Sequence, residues 1–376
     1  MNRSDILVIG GGIAGLSAAA ALSRHAQVAV LEAEEQVGFH SSGRSATMVH
    51  YFLGDRLVRA LTSASRPFFD DSSADFTDVP LGHRMPVLIH AREDELASLN
   101  ELEAAIAPFA EMERVDEAGI LELCPVIRAG EGGAVAGIVD RNGIRLDTHA
   151  LLQGNLRALR AAGGTLHAAQ RAARIERENG VWTVTSEIGD RFCAPILINA
   201  AGSWADKVAS LAGVAPLGLE PKRRTIITFD APDGTPLDEL PFAKTVGDDL
   251  YFAPESGRLF ASPMDEVPSE PCDAQPDEYD VALAASRMEE RTTVKVERIH
   301  SRWAGLRTFT LDRHPAAGFA PDSEGFFWLA GQGGFGLQTS PAMAAIVTSL
   351  IADQPWPVPD VLPDELSPVR FARQSA

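Results

Sequence analysis

Cysteine is scarce in this chain: Cys124, Cys193 and Cys272 are its only three, far apart and without a C-x-x-C pair. So scattered a set implies neither a disulfide framework nor a zinc site, and no metal is expected. Free, buried thiols in a reducing compartment are the expectation. Basic charge is also short, with 33 Lys and Arg against 52 Asp and Glu and a formal net charge of -19. That balance disfavours nucleic acid and anionic membrane surfaces, which both ask for a positive footprint. Long apolar runs are missing too: no window offers the roughly 20 apolar residues of a membrane span. The stretch from Ile6 to Leu22 is broken by patterned glycines, unlike a signal peptide. A cytoplasmic protein with no nucleic acid partner and no transmembrane segment is expected. Internal repeats and low-complexity tracts are also absent.

What is present is a chain of 376 residues, 45% hydrophobic and 23% charged, long enough for two structural units. Residues 5–9 form a short apolar run, as in a strand buried on both faces. An alanine-rich helix from Ile13 to Arg24 and a second strand from Val28 to Leu31 complete a βαβ unit. Helices are expected at Arg56 to Phe69, Glu93 to Ile106 and Thr148 to Ala162, with a short strand at Pro86 to His90. Asn179-Gly180 between two alternating runs predicts a hairpin. Pro195 to Gly202 reads as a buried strand running into a turn of small residues. Residues 216–300 read as β-rich, with strands at Arg224 to Phe229, Leu250 to Ala253 and Arg258 to Ser262. The last third repeats the opening pattern: an apolar strand at Gly325 to Ala330, a glycine-rich loop, and a helix beginning near Thr339. The proline-rich tail from Pro355 to Pro368 suggests extended packing or a loose terminus.

The chemistry-bearing motif is Gly10-Gly11-Gly12-Ile13-Ala14-Gly15, a G-x-G-x-x-G directly after a strand. Gly10 permits the tight turn, Gly12 lets the backbone approach a pyrophosphate, and Gly15 lets the helix sit close to the sheet. The unpaired N–H groups at the helix start meet the pyrophosphate. Glu32 ends the second strand, where a carboxylate binds ribose hydroxyls and repels a 2′-phosphate. The polar turn His40 to Ala46 suits a flavin ring and its phosphates. The second glycine loop, Gly331 to Gly336, precedes a helix whose N-terminus can stabilise the charge of a reduced flavin. Together these features favour FAD over NAD.

The blocks Gly10–Gly15, Gly38 to Ala46, Arg59 to Arg66, Asn199 to Trp204, Leu219 to Arg224, Trp303 to Arg307 and Gly325 to Ser340 stand in one order along nearly the whole chain. In these blocks the sequence resembles the FAD-dependent D-amino acid oxidase-like family, which includes glycine and sarcosine oxidases and D-amino acid dehydrogenases. Within it, the sequence is most similar to the bacterial D-arginine dehydrogenase type. The resemblance implies a mixed α/β fold: a Rossmann-like FAD-binding domain (1–50, 140–215 and 300–376) interleaved with a β-sheet substrate-binding domain (51–139 and 216–299). It implies hydride transfer from an amino acid's Cα to flavin N5, giving an imino acid that water hydrolyses. For the cofactor it points to Gly10, Gly12, Ile13, Ala14, Gly15, Glu32 and Ala33 at the first turn, and to Gly43, Arg44, Ser45 and Ala46 in the polar turn. It adds Ala172, Ala201, Gly202 and Trp204 mid-chain, and Arg307, Gly333, Gly334, Gly336, Leu337, Gln338 and Thr339 at the C-terminal loop. A carboxylate clamp maps onto Arg224 and Arg307 with Tyr251 nearby; a guanidinium fork suits two-point binding of a carboxylate. Arg223 leaves the assignment ambiguous by one residue, since β-alternation turns only one of the two inward. The Gly334 carbonyl and Gln338 side chain map beside the substrate amine and flavin.

Three departures bear on the substrate. Where arginine-selective relatives have a histidine after the Arg-Ser-Ala turn, this chain has Met48. A lid tyrosine corresponds to Leu53, and the acid that receives a cationic side chain has no counterpart in His83 to Leu88. A long cationic substrate would lose its charge partner, and an unpaired buried charge is costly. Met48, Leu53 and Phe242 suggest instead a pocket for uncharged or apolar side chains. His50 and Tyr51 are candidates for the missing histidine's polar role. Lys244 is expected in solvent, the alternative being that it receives an acidic substrate. With no cysteine after Cys272, the FAD is expected to be non-covalent. N-methyl amino acids and 2-hydroxy acids remain alternative substrates, and an inactive flavin-binding subunit of an amine-oxidising complex remains an alternative role. The electron acceptor (oxygen, a quinone or a dye) is left open.

Overall fold

A computed structural model of the chain describes residues 2–71 and 76–372. Its organising element is a six-stranded sheet in the order Thr165–His167, Val28–Leu31, Ile6–Ile9, Ile196–Asn199, Phe326–Ala330 and Ala316–Phe319. Only the last pair runs antiparallel. Ile6–Ile9, Phe326–Ala330 and Val28–Leu31 are apolar throughout, and Ile196–Asn199 is apolar up to its terminal Asn199, because the sheet is covered on both faces. Ile6, Val8, Val28 and Val30 face a layer of helices, chiefly Ile13–Leu22, Thr148–Ala161 and Gly336–Ala352. Leu7, Ile9, Ala29 and Leu31 pack against a four-stranded sheet through Ile175, Trp182, Val184 and Phe192. In that smaller sheet Asn179 and Gly180 both take positive φ, 49° and 81°, the type I′ geometry that matches strand twist.

A ten-stranded sheet, antiparallel except where Phe242–Thr245 meets Val87–Ala91, forms the other half of the framework. Its longest pair joins Glu220–Phe229 to Ile299–Phe309. One face is closed by the helix Glu278–Arg291, through Val281, Ala284 and Met288. This helix lies within the stretch read from sequence as β-rich; Asp277 caps it by accepting from Tyr279 N–H, and its charged outer face hid a short apolar stripe. The chain crosses between the two sheets just after Phe326–Ala330, where Gln332–Gly333 adds a short edge strand beside Ile299–Phe309. The second glycine loop thus links the two sheets.

Two smaller expectations change. The C-terminal helix starts at Gly336 rather than near Thr339. The proline-rich tail is anchored: Val358, Val361 and Leu366 are buried against the helical layer, and Pro363–Leu366 is a helical turn. Cys124 and Cys193 are buried free thiols, but Cys272 is exposed, because it sits in a turn outside both sheets. Among the described residues no helix is long and apolar enough to cross a membrane.

Candidate active site

A cavity of about 370 Å³ runs along the C-terminal ends of the parallel strands to the face of the second sheet, within the size range of ligand pockets. Gly10, Gly12, Ile13 and Ala14 line it at the first turn. The glycines are forced. Gly10 has φ 115°, and a Cβ on it would lie 2.3 Å from the Ala200 carbonyl oxygen. Gly15 and Gly43 lie behind the lining: their Cβ atoms would meet the Gly10 and Gly38 carbonyl oxygens at 1.9 and 2.5 Å. The helix Ile13–Leu22 carries no acidic residue in its first turn, so its positive end is free for an anion.

Glu32 lines the same cavity with Ala33, and its carboxylate accepts from the Gly11 and Glu34 N–H groups at 2.7 and 2.9 Å. Burial pushes its pKa up, and these two hydrogen bonds work against the rise. Arg44, Ser45 and Ala46 line the opposite wall. The Arg44 side chain turns away to donate to the Ala274 and Ala304 carbonyls, which pins the loop to Ile299–Phe309. Ala172, Ala201, Gly202 and Trp204 close the far end, where the Trp204 ring lies tilted against His40 with centroids 4.6 Å apart. Gly333, Gly334, Gly336 and Leu337 complete the near end. The glycine cradle, the free helix terminus and the buried carboxylate fit a flavin dinucleotide.

A smaller cavity of about 40 Å³ opens off this end, and Arg224, Arg307, Tyr251 and Gly334 line both. Strand pairing explains their convergence. Lys222 stands opposite Arg307 and Arg224 opposite Gly305, so Arg224 and Arg307 are diagonal neighbours on one face. Arg223 points to the other face and donates to Asp280 at 2.7 Å, which resolves the one-residue ambiguity in favour of Arg224. Arg224 Nε donates to the Asp265 carbonyl at 2.7 Å, while its Nη1 and the Tyr251 hydroxyl are buried without partners among the described residues. Arg307 makes no ion pair or side-chain hydrogen bond among the described residues. Its pKa is lowered to about 10, first by burial and then by Arg224, so it stays charged at neutral pH. Gly334 makes room for it: a Cβ there would lie 2.9 Å from the guanidinium carbon.

Met48, His50 and Leu53 line the small cavity with Phe242. His50 is buried. Its Nδ1 accepts from Phe52 N–H at 3.1 Å, so the neutral ring carries its proton on Nε2. Burial, followed by the charge of Lys244, lowers its pKa to about 3. Gln338 also borders this cavity but serves as a brace, donating to Thr62 Oγ1 at 2.8 Å and accepting from His50 N–H. Besides Gly15 and Gly43, two named candidates fall outside both cavities. Tyr51 is buried in the neighbouring apolar cluster, its carbonyl holding Arg59, because the chain turns after Val49 and swings its side chain off the site. Thr339 faces inward within its helix and donates to the Phe335 carbonyl.

Lys244 departs most from expectation. It is 4% exposed, lines the small cavity, and pairs with the exposed Asp248 instead of reaching solvent. It stands opposite Tyr251 in the sheet, so the two share the inward face. Sequence reading also passed over Asp265 and Glu266, which hold Arg224. Their signal was available: continuing the antiparallel pairing of Ile227 with Ala261 carries that acidic pair to the arginines.

The family described as DAO, FAD dependent oxidoreductase, matches residues 5–350. The chain belongs to this family. FAD is accordingly its cofactor, and it is an oxidoreductase. It is 25% identical over 411 residues to the Bos taurus FAD-dependent oxidoreductase domain-containing protein 1, covering 94% of this chain and 82% of that one. It is 24% identical over 368 residues to a glycine oxidase of Bacillus licheniformis, covering 94% of each. L-alpha-glycerophosphate oxidase from Mycoplasma pneumoniae, solved with FAD bound, superposes with a TM-score of 0.84 at 18% identity over 94% of this chain and 95% of that one, a likeness of fold.

Proposed function

We propose that this flavoenzyme oxidises an α-amino acid at its Cα–N bond, with the substrate carboxylate held by Arg224, Arg307 and Tyr251. The observation carrying this reading is the unmet demand at one spot: among the described residues, Arg224 Nη1 and the Tyr251 hydroxyl are buried without partners beside a guanidinium that has none. A carboxylate satisfies all three. The likeness to a glycine oxidase supports an amino acid as substrate, and the Mycoplasma structure, a glycerophosphate oxidase, is the reason the substrate rests on the site and not on the fold.

Bound FAD supplies two-electron oxidising capacity. The chain's residues bind, orient and desolvate. Arg224 and Arg307 fix one end of the substrate, so that Cα is presented towards the wall formed by Ser45, Ala46 and Gly334. Met48, Leu53 and Phe242 exclude water from the other end. The Gly334 carbonyl borders the position of the amine. His50 argues against a 2-hydroxy acid: its Nε2 is a donor and its pKa is about 3, so it cannot take a hydroxyl proton at neutral pH. An amine needs no such base once it arrives neutral, so kcat/KM should rise as the substrate ammonium loses its proton.

The deciding measurement is anaerobic bleaching of the flavin across D- and L-amino acids, N-methyl amino acids and 2-hydroxy acids. Reduction by at least one amino acid is expected, and no response to any of them overturns the reading. Arg307→Met should then lower kcat/KM by about 10- to 100-fold, mainly through KM, as expected for losing charge-assisted hydrogen bonds.

A further inference from the structure

Resting on the clamp described above, we infer that the preferred substrate carries a second acidic group, received at the far end of the small cavity by Lys244 and the Nε2–H of His50. The small cavity holds a buried cation for which the clamp has no use. Lys244 is 4% exposed and on the inward face, yet its only ionic partner among the described residues, Asp248, is largely solvent-exposed. An ammonium so far from water is costly unless an anion meets it inside. Asp248 meets it only from the rim.

The cavity between the two cationic ends has the shape of a short dianion. Arg224 and Lys244 lie on strands three places apart in the sheet, in the order Glu220–Phe229, Arg258–Ser262, Tyr251–Glu255 and Phe242–Thr245. Their backbones are thus separated by roughly 14 Å, and two long side chains converging from that distance leave a short gap. The volume is about 40 Å³, which at roughly 10–15 Å³ per water-sized group holds about three such groups, a short side chain. His50 stands at the lysine end, its ring 5.8 Å from that of Phe242. Its Nε2–H has no partner among the described residues. Lysine ammonium and imidazole N–H together offer two donors to one carboxylate. The apolar residues Met48 and Phe242 flank the passage without any acid that would repel it.

The loop around Asp248 suits an exchange of partners. Asp249 fixes the loop by pairing with Arg291, and Thr245 ties it to Leu250, so the strand end stays in place. Asp248 itself sits at positive φ (57°) on the outside, where its carboxylate can return to water once a substrate carboxylate takes the ammonium. Asparagine tolerates that backbone conformation, so Asp248→Asn removes the competing charge without strain.

The test compares aspartate with asparagine and glutamate with glutamine, in both enantiomers, by anaerobic flavin reduction and steady-state KM. Each pair differs by one charge at nearly constant shape. The acidic member is expected to win by about tenfold or more in kcat/KM, as for a charge-assisted hydrogen bond. Lys244→Met should abolish that preference, bringing the acid-to-amide ratio of kcat/KM to about one. Asp248→Asn should lower KM for the acidic substrate and leave the amides unchanged. A wild type that turns over amides and acids equally, or an Asp248→Asn variant with no change in the acid-to-amide ratio, overturns the inference while the clamp reading stands. A flavin that no amino acid reduces removes the clamp reading itself. If Lys244→Met fails to fold, the Asp248→Asn comparison decides alone.

Discussion

At the scale of single residues, two buried histidines give the molecule a readable pH dependence. His90 has both ring nitrogens buried and unpartnered among the described residues, and burial lowers its pKa to about 4 from an ordinary 6.5. His50 is lowered to about 3 by the same cause. The unfolded chain takes up a proton on each near its ordinary pKa, whereas the folded chain resists until far lower pH. Their contribution is therefore whole above about pH 6.5 and falls as the pH drops, by up to about 1.4 kcal/mol per pH unit for each. Asp55, held down to about 2 by His314, works in the same direction below its ordinary 3.8. His314 works in the opposite one: its pKa is raised, first by Asp55, so its contribution is present at low pH and lost as the pH rises through the raised value. Urea midpoints should drop between about pH 7.5 and about pH 5, and His90→Gln should flatten that slope. An unaltered slope in the variant would place the acid sensitivity elsewhere.

At the scale of elements, adjacent arginines on one strand make opposite predictions. Arg223 and Arg224 alternate across the sheet, one towards Asp280 on the helix behind it, the other towards the cavity. Arg223→Met leaves Asp280 buried and unpaired, and should cost roughly 1–3 kcal/mol of stability with kcat/KM unchanged. Arg224→Met should do the reverse, raising KM with a smaller loss of stability. Thermal unfolding measured beside steady-state kinetics separates the two, and a joint loss in Arg223→Met would mean that strand alternation does not partition their roles. The sequence showed that only one of the pair could face inward but not which, because the answer depends on the register of Glu220–Phe229 against Ile299–Phe309 and on the helix Glu278–Arg291 behind them. The opening βαβ unit was legible for the converse reason. Its signals (an apolar strand, a patterned turn, an alanine-rich helix) are local, and its glycines are fixed by clashes within a few residues of chain or with one neighbouring strand.

At the scale of the whole molecule, the cofactor cavity is a product of both sheets, and so were the residues that sequence reading misplaced. Lys244 looked like a solvent-facing lysine in a turn-rich segment. It is buried because its strand pairs with Val87–Ala91 on one side and Tyr251–Glu255 on the other, contacts that join distant parts of the chain. The same assembly predicts how the protein responds to its flavin. The cavity draws on Gly10 to Ala14, Arg44 to Ala46, Ala201 to Trp204 and Gly333 to Leu337, four segments that only the folded state brings together. FAD should bind the native chain alone and stabilise it by mass action, about 2.7 kcal/mol at a hundredfold excess over Kd. No cysteine lines the cavity, and Cys272, the last in the chain, lies outside it. The flavin is therefore expected to leave on acid precipitation with a colourless pellet, and the resulting apoprotein should unfold at lower temperature and recover as FAD is added back. A yellow pellet would reveal a covalent link, with His40, the histidine that lines this cavity, the first residue to examine by peptide mapping.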